Sequence, residues 1–246
     1  MFRHKFYLLT YILFVISALI INTKAQSAGP PMLTDDPGTP GNNNWEINTA
    51  LTSSLGEVDE FELPLIDINY GLMGNIQLKI EFPFELDKDG DKTDTKLGTF
   101  LLGVKYRFID ENENFLDVSV YPQAGYFNLA HKWNEYILPV EIQKTLGKYV
   151  LCVDFGYHFT ADQDKNLFSG ICIGKSIIDK LELMTEIYFM TDNEIKSTDK
   201  ILLNVGSRYE LNDNFRILAS VGTDLKKINA GIQKNIFAYL GLQTLL

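Results

Sequence analysis

Asp154 and His158, with Ser119 and Ser220 elsewhere in the chain, are the residue types of an acyl-transfer centre: a nucleophilic hydroxyl, a base and an orienting carboxylate. Their spacing speaks against it. In "YVLCVDFGYHFT" the acid and the histidine share a face but lie four residues apart, about 13 Å along an extended strand, too far for a direct hydrogen bond. No serine-centred elbow accompanies them, and His158 reads as a polar residue at a strand end. A second candidate, "DKDGDKTDTKLG", begins like a calcium loop, but its glycine falls at the fourth position and Gly98 stands where a bidentate glutamate belongs. A solvated loop is the reading adopted. The sequence thus nominates no catalytic residue, metal ligand set or cofactor, and the chain is read as a non-enzyme. Cys152 and Cys172 fall on adjacent candidate strands with both side chains on the same inner face. An oxidising compartment would permit a bridge between them; two free thiols is the reading adopted.

The elements that position these residues are strands. "NIQLKIEFPFEL" places Ile76, Leu78, Ile80, Phe82, Phe84 and Leu86 on one face and polar residues, with Pro83, on the other. "YVLCVDFGYHFT" and "NFRILASVGT" repeat the pattern. Twelve candidate strands follow, near 44–54, 59–71, 75–86, 97–109, 114–126, 135–145, 149–160, 166–176, 180–190, 200–210, 214–223 and 234–245, most of about the ten residues a tilted strand needs to cross a bilayer. Short connections ("LMGN", "IDENEN", "LGK", "IDK", "LNDN") alternate with longer polar ones ("DKDGDKTDTK", "NLAHKWNE", "ADQDKN", "TDNEIKSTDK", "DLKKINAGIQ"). A membrane barrel with both termini on the short-turn side predicts that sorting; a soluble sandwich does not. Aromatics gather at strand ends, Trp45, Tyr106, Phe108, Tyr149, Tyr209 and Phe215 toward the turns and Phe61, Phe84, Tyr126, Phe159 and Phe189 toward the loops, as in interfacial girdles. In "EFELPLIDINYG" the apolar phase passes from Phe61, Leu63 and Leu65 to Ile66, Ile68 and Tyr70, which calls for a bulge beside Pro64. The expected fold class is all-β: a transmembrane antiparallel up-and-down β-barrel of about twelve strands.

Ahead of the strands, Arg3, His4 and Lys5 precede an apolar run, and Thr23-Lys24-Ala25 offers a cleavage site, so residues 1–25 read as a signal peptide. The formal net charge of −10 becomes about −13 once Arg3, Lys5 and Lys24 are lost, which excludes nucleic acid as a partner. Residues 26–43, rich in Pro, Gly and Asp, read as a periplasmic lead-in to a barrel spanning 44–246. Two fates fit it: a tether held by side-chain turns around Thr34, Asp35 and Asp36, which is the reading adopted, or a small plug folded back into the barrel mouth.

Strand phase sends Glu46, Asp67, Glu81, Glu85, Asp117, Glu141, Asp154, Glu182, Glu186 and Glu210 inward against Lys79, Lys105, Arg107, Arg208 and Arg216. Cross-strand pairs of Lys79 or Glu81 with Lys105 or Arg107 are expected. The surplus of acids should draw in water, because unpaired charge is not tolerated dry. Glu81, Lys105, Arg107, Asp154, His158, Glu182, Glu186 and Arg208 are the expected lumen-lining residues of a narrow diffusive channel that disfavours anions.

The segments "GPPMLTDDPGTPGNNNWE", "LPLIDINYGLMGNIQLKIEFP", "LGTFLLGVKYRFIDEN", "LPVEIQKTLGKYVLCVDFGYHF" and "IFAYLGLQ", in that order from about residue 29 to the end, resemble the meta-pathway phenol-degradation (phenol MetA-like) outer-membrane transporter family. The resemblance implies a Gram-negative outer-membrane barrel for passive uptake of small, often hydrophobic or aromatic, molecules. Its partners would be outer-membrane lipid, a small-molecule solute and the barrel-assembly machinery. Leu246 departs from the terminal aromatic that machinery usually reads. A structural or adhesive barrel, or a lipid-modifying enzyme, are the alternatives carried forward.

Overall fold

A strand with one apolar face needs a hydrogen-bonding neighbour on each edge, so a chain built from such strands must close on itself or leave two raw edges. The computed structural model describes residues 27–128, 130–160, 165–191, 200–228 and 231–246, with backbone alone at 226–228 and 231–234. The leader lies outside the described residues.

Among the described residues, fourteen strands form one antiparallel sheet: β1 (Trp45–Leu55), β2 (Asp59–Leu72), β3 (Ile76–Asp89), β4 (Lys92–Leu97), β5 (Phe100–Ile109), β6 (Asp117–Val120), β7 (Gln123–Phe127), β8 (Lys132–Leu146), β9 (Tyr149–Thr160), β10 (Lys165–Ile178), β11 (Leu181–Met190), β12 (Lys200–Glu210), β13 (Phe215–Ile228) and β14 (Gly231–Leu245). β1 pairs with β14 from Glu46↔Leu245 to Leu55↔Ile236, which closes the barrel. β4 and β5 run in line along β3, and β6 and β7 in line between β5 and β8. The wall therefore has twelve staves, the number the alternation predicts. The second interruption has a plain cause. Pro122 and Pro139 bring no N–H, and the ladder is carried past them by Val104 N–H to Pro122 O (3.0 Å) and Tyr121 N–H to Pro139 O (3.2 Å).

Two connections differ from expectation. "DKDGDKTDTK" is no loop: β3 and β4 form a hairpin with Asp89↔Lys92 at its tip. β13 and β14 likewise continue to Ile228↔Gly231, past the last β1 and β12 partners at Ile236 and Lys226. Beyond the wall neither face of a hairpin meets lipid, so the alternation that betrays a strand is lost. The expected bulge is present in β2, between Glu62 and Leu65. It falls one step earlier than the phase suggested, so Leu65 turns inward and packs on Ala50, Leu218 and Tyr239, while Asp67 and Asn69 are buried on the same inner face.

The barrel is inside-out relative to a water-soluble protein. Leu78, Ile80, Val104, Leu138, Phe155, Ile171, Ile187, Val205, Val221 and Leu240 are exposed on the outer wall, whereas Asn48, Lys105, Glu141, Asp154, Glu186, Asn204 and Arg208 are buried inside.

Candidate functional site

The site is the lumen and the segment that fills part of it. Residues 27–40 do not hang free as a tether; they enter the barrel from the turn end and return to it. Ser27 starts low, its hydroxyl donating to Glu182 (2.7 Å), near the start of β11. The chain then makes a closed turn, with Gly29 N–H to Thr34 O (2.9 Å) and Met32 N–H to Gly29 O (3.0 Å). Thr34 is the deepest bonded point, its N–H donating to Glu186, and Asp35 N–H donates to Asp154 (3.2 Å). The descent ends where Thr39 Oγ1 donates to Gly74 O (2.8 Å) in the β2–β3 turn. It crosses β2 at Gly71, where a Cβ would stand 1.8 Å from Gly41 O. The prolines and glycines of the lead-in suit this irregular path because much of its backbone bonding goes to the wall rather than to itself.

Side chains of the wall supply the remaining partners. Arg208 donates from Nη2 to Ala28 O (3.2 Å) and Pro30 O (3.0 Å), and from Nη1 to Glu182 (2.6 Å). Ser220 donates to Pro31 O (3.0 Å). Lys105, almost wholly buried, pairs with Glu141 (3.2 Å) and with Asp35 (3.2 Å), and also donates to Asp36 O. Each such charge-assisted bond contributes about 1.5–3 kcal/mol, so the segment is held at many points. Burial raises the Asp36 carboxyl from the ordinary aspartate range to about 6, with nearby Lys105 acting against the shift.

Glu81, Lys105, Arg107, Asp154, His158, Glu182, Glu186 and Arg208 do not share one duty. Asp154, Glu182, Glu186, Lys105 and Arg208 hold the segment, together with Thr34 and Asp35 on its side. Glu81 pairs with Lys79 on its own strand (2.7 Å), and Lys79 also reaches Asp67 (3.7 Å). Arg107 turns toward the short-turn end, to Asp110 (3.3 Å) and Asp117 (3.9 Å). The expected pairing of Lys79 or Glu81 with Lys105 or Arg107 is replaced by these nearer partners. His158 pairs with Glu135 near the loop end (2.7 Å), away from Asp154, and Ser119 donates to Glu141. Cys152 and Cys172 are free, buried and directly opposite each other on β9 and β10.

Sequence reasoning missed Ser27, Ala28, Pro30 and Met32 as contact residues, and the bare wall beneath them. A Cβ at Gly170, Gly174 or Gly206 would fall 2.2 to 2.3 Å from Thr34 Oγ1, Ser27 Oγ or Met32 Cε. Three glycines on the inner phase of β10 and β12 were the available signal.

Among the described residues, three cavities adjoin one another. One of about 430 Å³ at the turn end is lined by Asp35, Asp36, Glu46 and Asp67 against Lys79, Lys105, Arg208 and Arg216. A middle one of about 310 Å³ shares Asp35, Asp67 and Lys79 with it and adds Glu62 and Glu81. A third of about 380 Å³ toward the loop end shares Glu62 and adds Glu60, Glu85, Asp87 and Asp224 against Lys96 and Lys200. The series follows the β1–β3 side of the lumen. Its turn-end member is balanced in charge, and the other two are acidic.

No family model matches the sequence, and no curated protein matches it. Solved structures do share its fold. The COG4313 outer membrane channel from Pseudomonas putida F1 aligns with a TM-score of 0.60 at 12% identity, covering 89% of this chain and 100% of that one. The KdgM porin in complex with disordered oligogalacturonate gives 0.56 at 11% identity over 81% and 98%. The CymD monoaromatic hydrocarbon channel gives 0.54 at 7% identity over 83% and 89%. At such identities the likeness is one of architecture: this chain is a porin-like, closed antiparallel β-barrel of the outer-membrane type.

Proposed function

We propose that the protein is an outer-membrane channel for passive passage of small molecules, that its route follows the β1–β3 side of the internal segment, and that it performs no chemistry. The observation that carries this reading is the series of three adjoining cavities, whose middle and loop-end members hold more acids than bases. Charges left in such cavities must be hydrated, so the route is wet and disfavours anions. Selectivity then rests on Glu62, Glu81 and Glu85, which line these cavities, Glu81 paired with Lys79 and Glu85 with Lys96 of the wall. Glu182 and Glu186, which sequence phase alone would choose, are engaged with Arg208, Ser27 and Thr34. The resemblance to the phenol-degradation family, and a fold shared with a monoaromatic hydrocarbon channel, favour small apolar or aromatic solutes. Such a solute leaves more readily sideways through the wall than along so charged a path.

In planar bilayers the purified protein should give a small cation-preferring conductance, and Glu62→Lys with Glu81→Lys should reduce or reverse the preference. Silence from both the intact protein and one lacking residues 26–43 would leave a structural or adhesive barrel as the better account.

A further inference from the structure

The chain has two cysteines and five methionines. Both cysteines and two of the methionines, Met32 and Met184, meet in one buried cluster with Ala28 and Val150. Three of these sulfurs belong to the wall. Cys152 on β9 and Cys172 on β10 are register partners, and Met184 on β11 lies two residues before Glu186, the partner of Cys172 on its other edge. The fourth, Met32, is brought by the internal segment.

Buried cysteine and methionine serve as apolar filler in most proteins, but the other two apolar clusters of this inner wall, around Leu218 and around Leu202, are built from aliphatic and aromatic residues, and the buried sulfur is gathered in this one. Residues directly opposite on antiparallel strands have Cα atoms roughly 4.5–5.5 Å apart, a separation at which two metal–sulfur bonds of about 2.3 Å can meet at one ion. The thiols have only weak demands on them: Cys152 Sγ donates to Gln143 Oε1 (3.0 Å) and Cys172 Sγ to Ser27 O (3.4 Å). Thioethers stand beside them, and the Arg208–Glu182 ion pair, bonded to Ala28 O within the cluster, adjoins it.

We propose that Cys152, Cys172, Met184 and Met32 form a binding site for a soft monovalent cation of the Cu(I) or Ag(I) class. Thiolate and thioether donors favour such ions over zinc, calcium or magnesium. Binding converts two thiols and one M⁺ into a bis-thiolate complex of charge −1; two S–H bonds break, two S–M bonds form, and both protons pass to water in the adjoining turn-end cavity. No electron is transferred. With three donors on the wall and one on the segment, the bound ion clips the segment to β9–β11. The site stands independently of the channel reading.

The test is a titration of the full-length mature protein, purified in detergent under reductant, with Cu(I) held in competition with bicinchoninate. One equivalent should bind. Cys152→Ser with Cys172→Ser should weaken it by about 100-fold or more, Met32→Leu by roughly tenfold, and Met73→Leu, on an exposed turn, not at all. Because the double serine variant could misfold, Ag(I) protection of both thiols from maleimide is measured in the unmutated protein as well. Wild-type affinity no higher than that of a folded double variant, thiols alkylated equally with and without Ag(I), or a Cys152–Cys172 disulfide in protein taken directly from the membrane would each overturn the proposal.

Discussion

The two sides of the lumen use the same residue types to opposite ends. On β9–β12, Asp154, Glu182 and Glu186 accept from the backbone or side chains of residues 27–35, and glycines clear the space for them. On β1–β3, Glu46, Glu62 and Glu81 face cavities instead. A carboxylate of this inner wall is therefore an anchor where the internal segment brings it donors; on β1–β3, where its partners are Lys79, Thr52 and Asn48 of the wall itself, it is left facing open space. Side-chain chemistry does not separate the two; the path of the internal segment does.

The comparison breaks most completely if the segment is removed. Deleting residues 26–43 should raise single-channel conductance several-fold and abolish the difference between the two walls, read as equal accessibility of cysteines placed at Gly170 and Thr52. Arg208→Ala should follow, since it strips Ala28, Pro30 and Glu182 of one partner and leaves a buried acid uncompensated; a loss of about 3 kcal/mol in urea unfolding is expected, with faster proteolysis of the segment. Gly71→Ala places a methyl against Gly41 O at the rim and should cost about 1–3 kcal/mol, visible as a lower temperature at which the folded barrel loses its faster mobility on a detergent gel. Paired neutral variants sharpen the contrast: Glu182→Gln should loosen the segment and leave the reversal potential alone, whereas Glu62→Gln should shift the reversal potential and leave unfolding within roughly 0.5 kcal/mol.

The smallest effect is pH. The Asp36 carboxyl titrates at about 6 when docked, above its ordinary value of 3.8, so docking takes up a proton between those values. Docking is strongest below the lower value and weakens as pH rises through about 6. Conductance noise from segment movement should be greater at pH 8 than at pH 5; an opposite trend would assign control to another group.

Much of the wall was legible because lipid on one side and water or protein on the other force alternation, and alternation survives in sequence at Ile76–Leu86 or Tyr149–Thr160. The hairpin tip at Lys92–Leu97 was not, since both its faces are wet. Leu65 was assigned outward because an apolar residue before a bulge has no mark of which phase it belongs to. The lead-in was read as a tether for a similar reason. Its docking uses Ala28, Pro30, Pro31 and Asp36 carbonyls and the Thr34 and Asp35 amides, and such backbone groups leave no mark in the choice of side chain. Proline and aspartate turns look alike in a free linker and a docked one.

The bonds from β9–β13 to the internal segment join residues 119 to 189 positions apart. Trp45 and Leu246, at the two ends of the barrel, bond to each other at the β1–β14 seam (2.8 and 3.0 Å). Contacts so remote carry the largest closure entropy and form late. The receptor for residues 27–35 does not exist until β9–β12 have been made and registered. Residues 27–35, synthesised before any strand of the barrel, are thus among the last to settle, and the nascent barrel must keep them soluble and unclaimed through the whole of its own assembly.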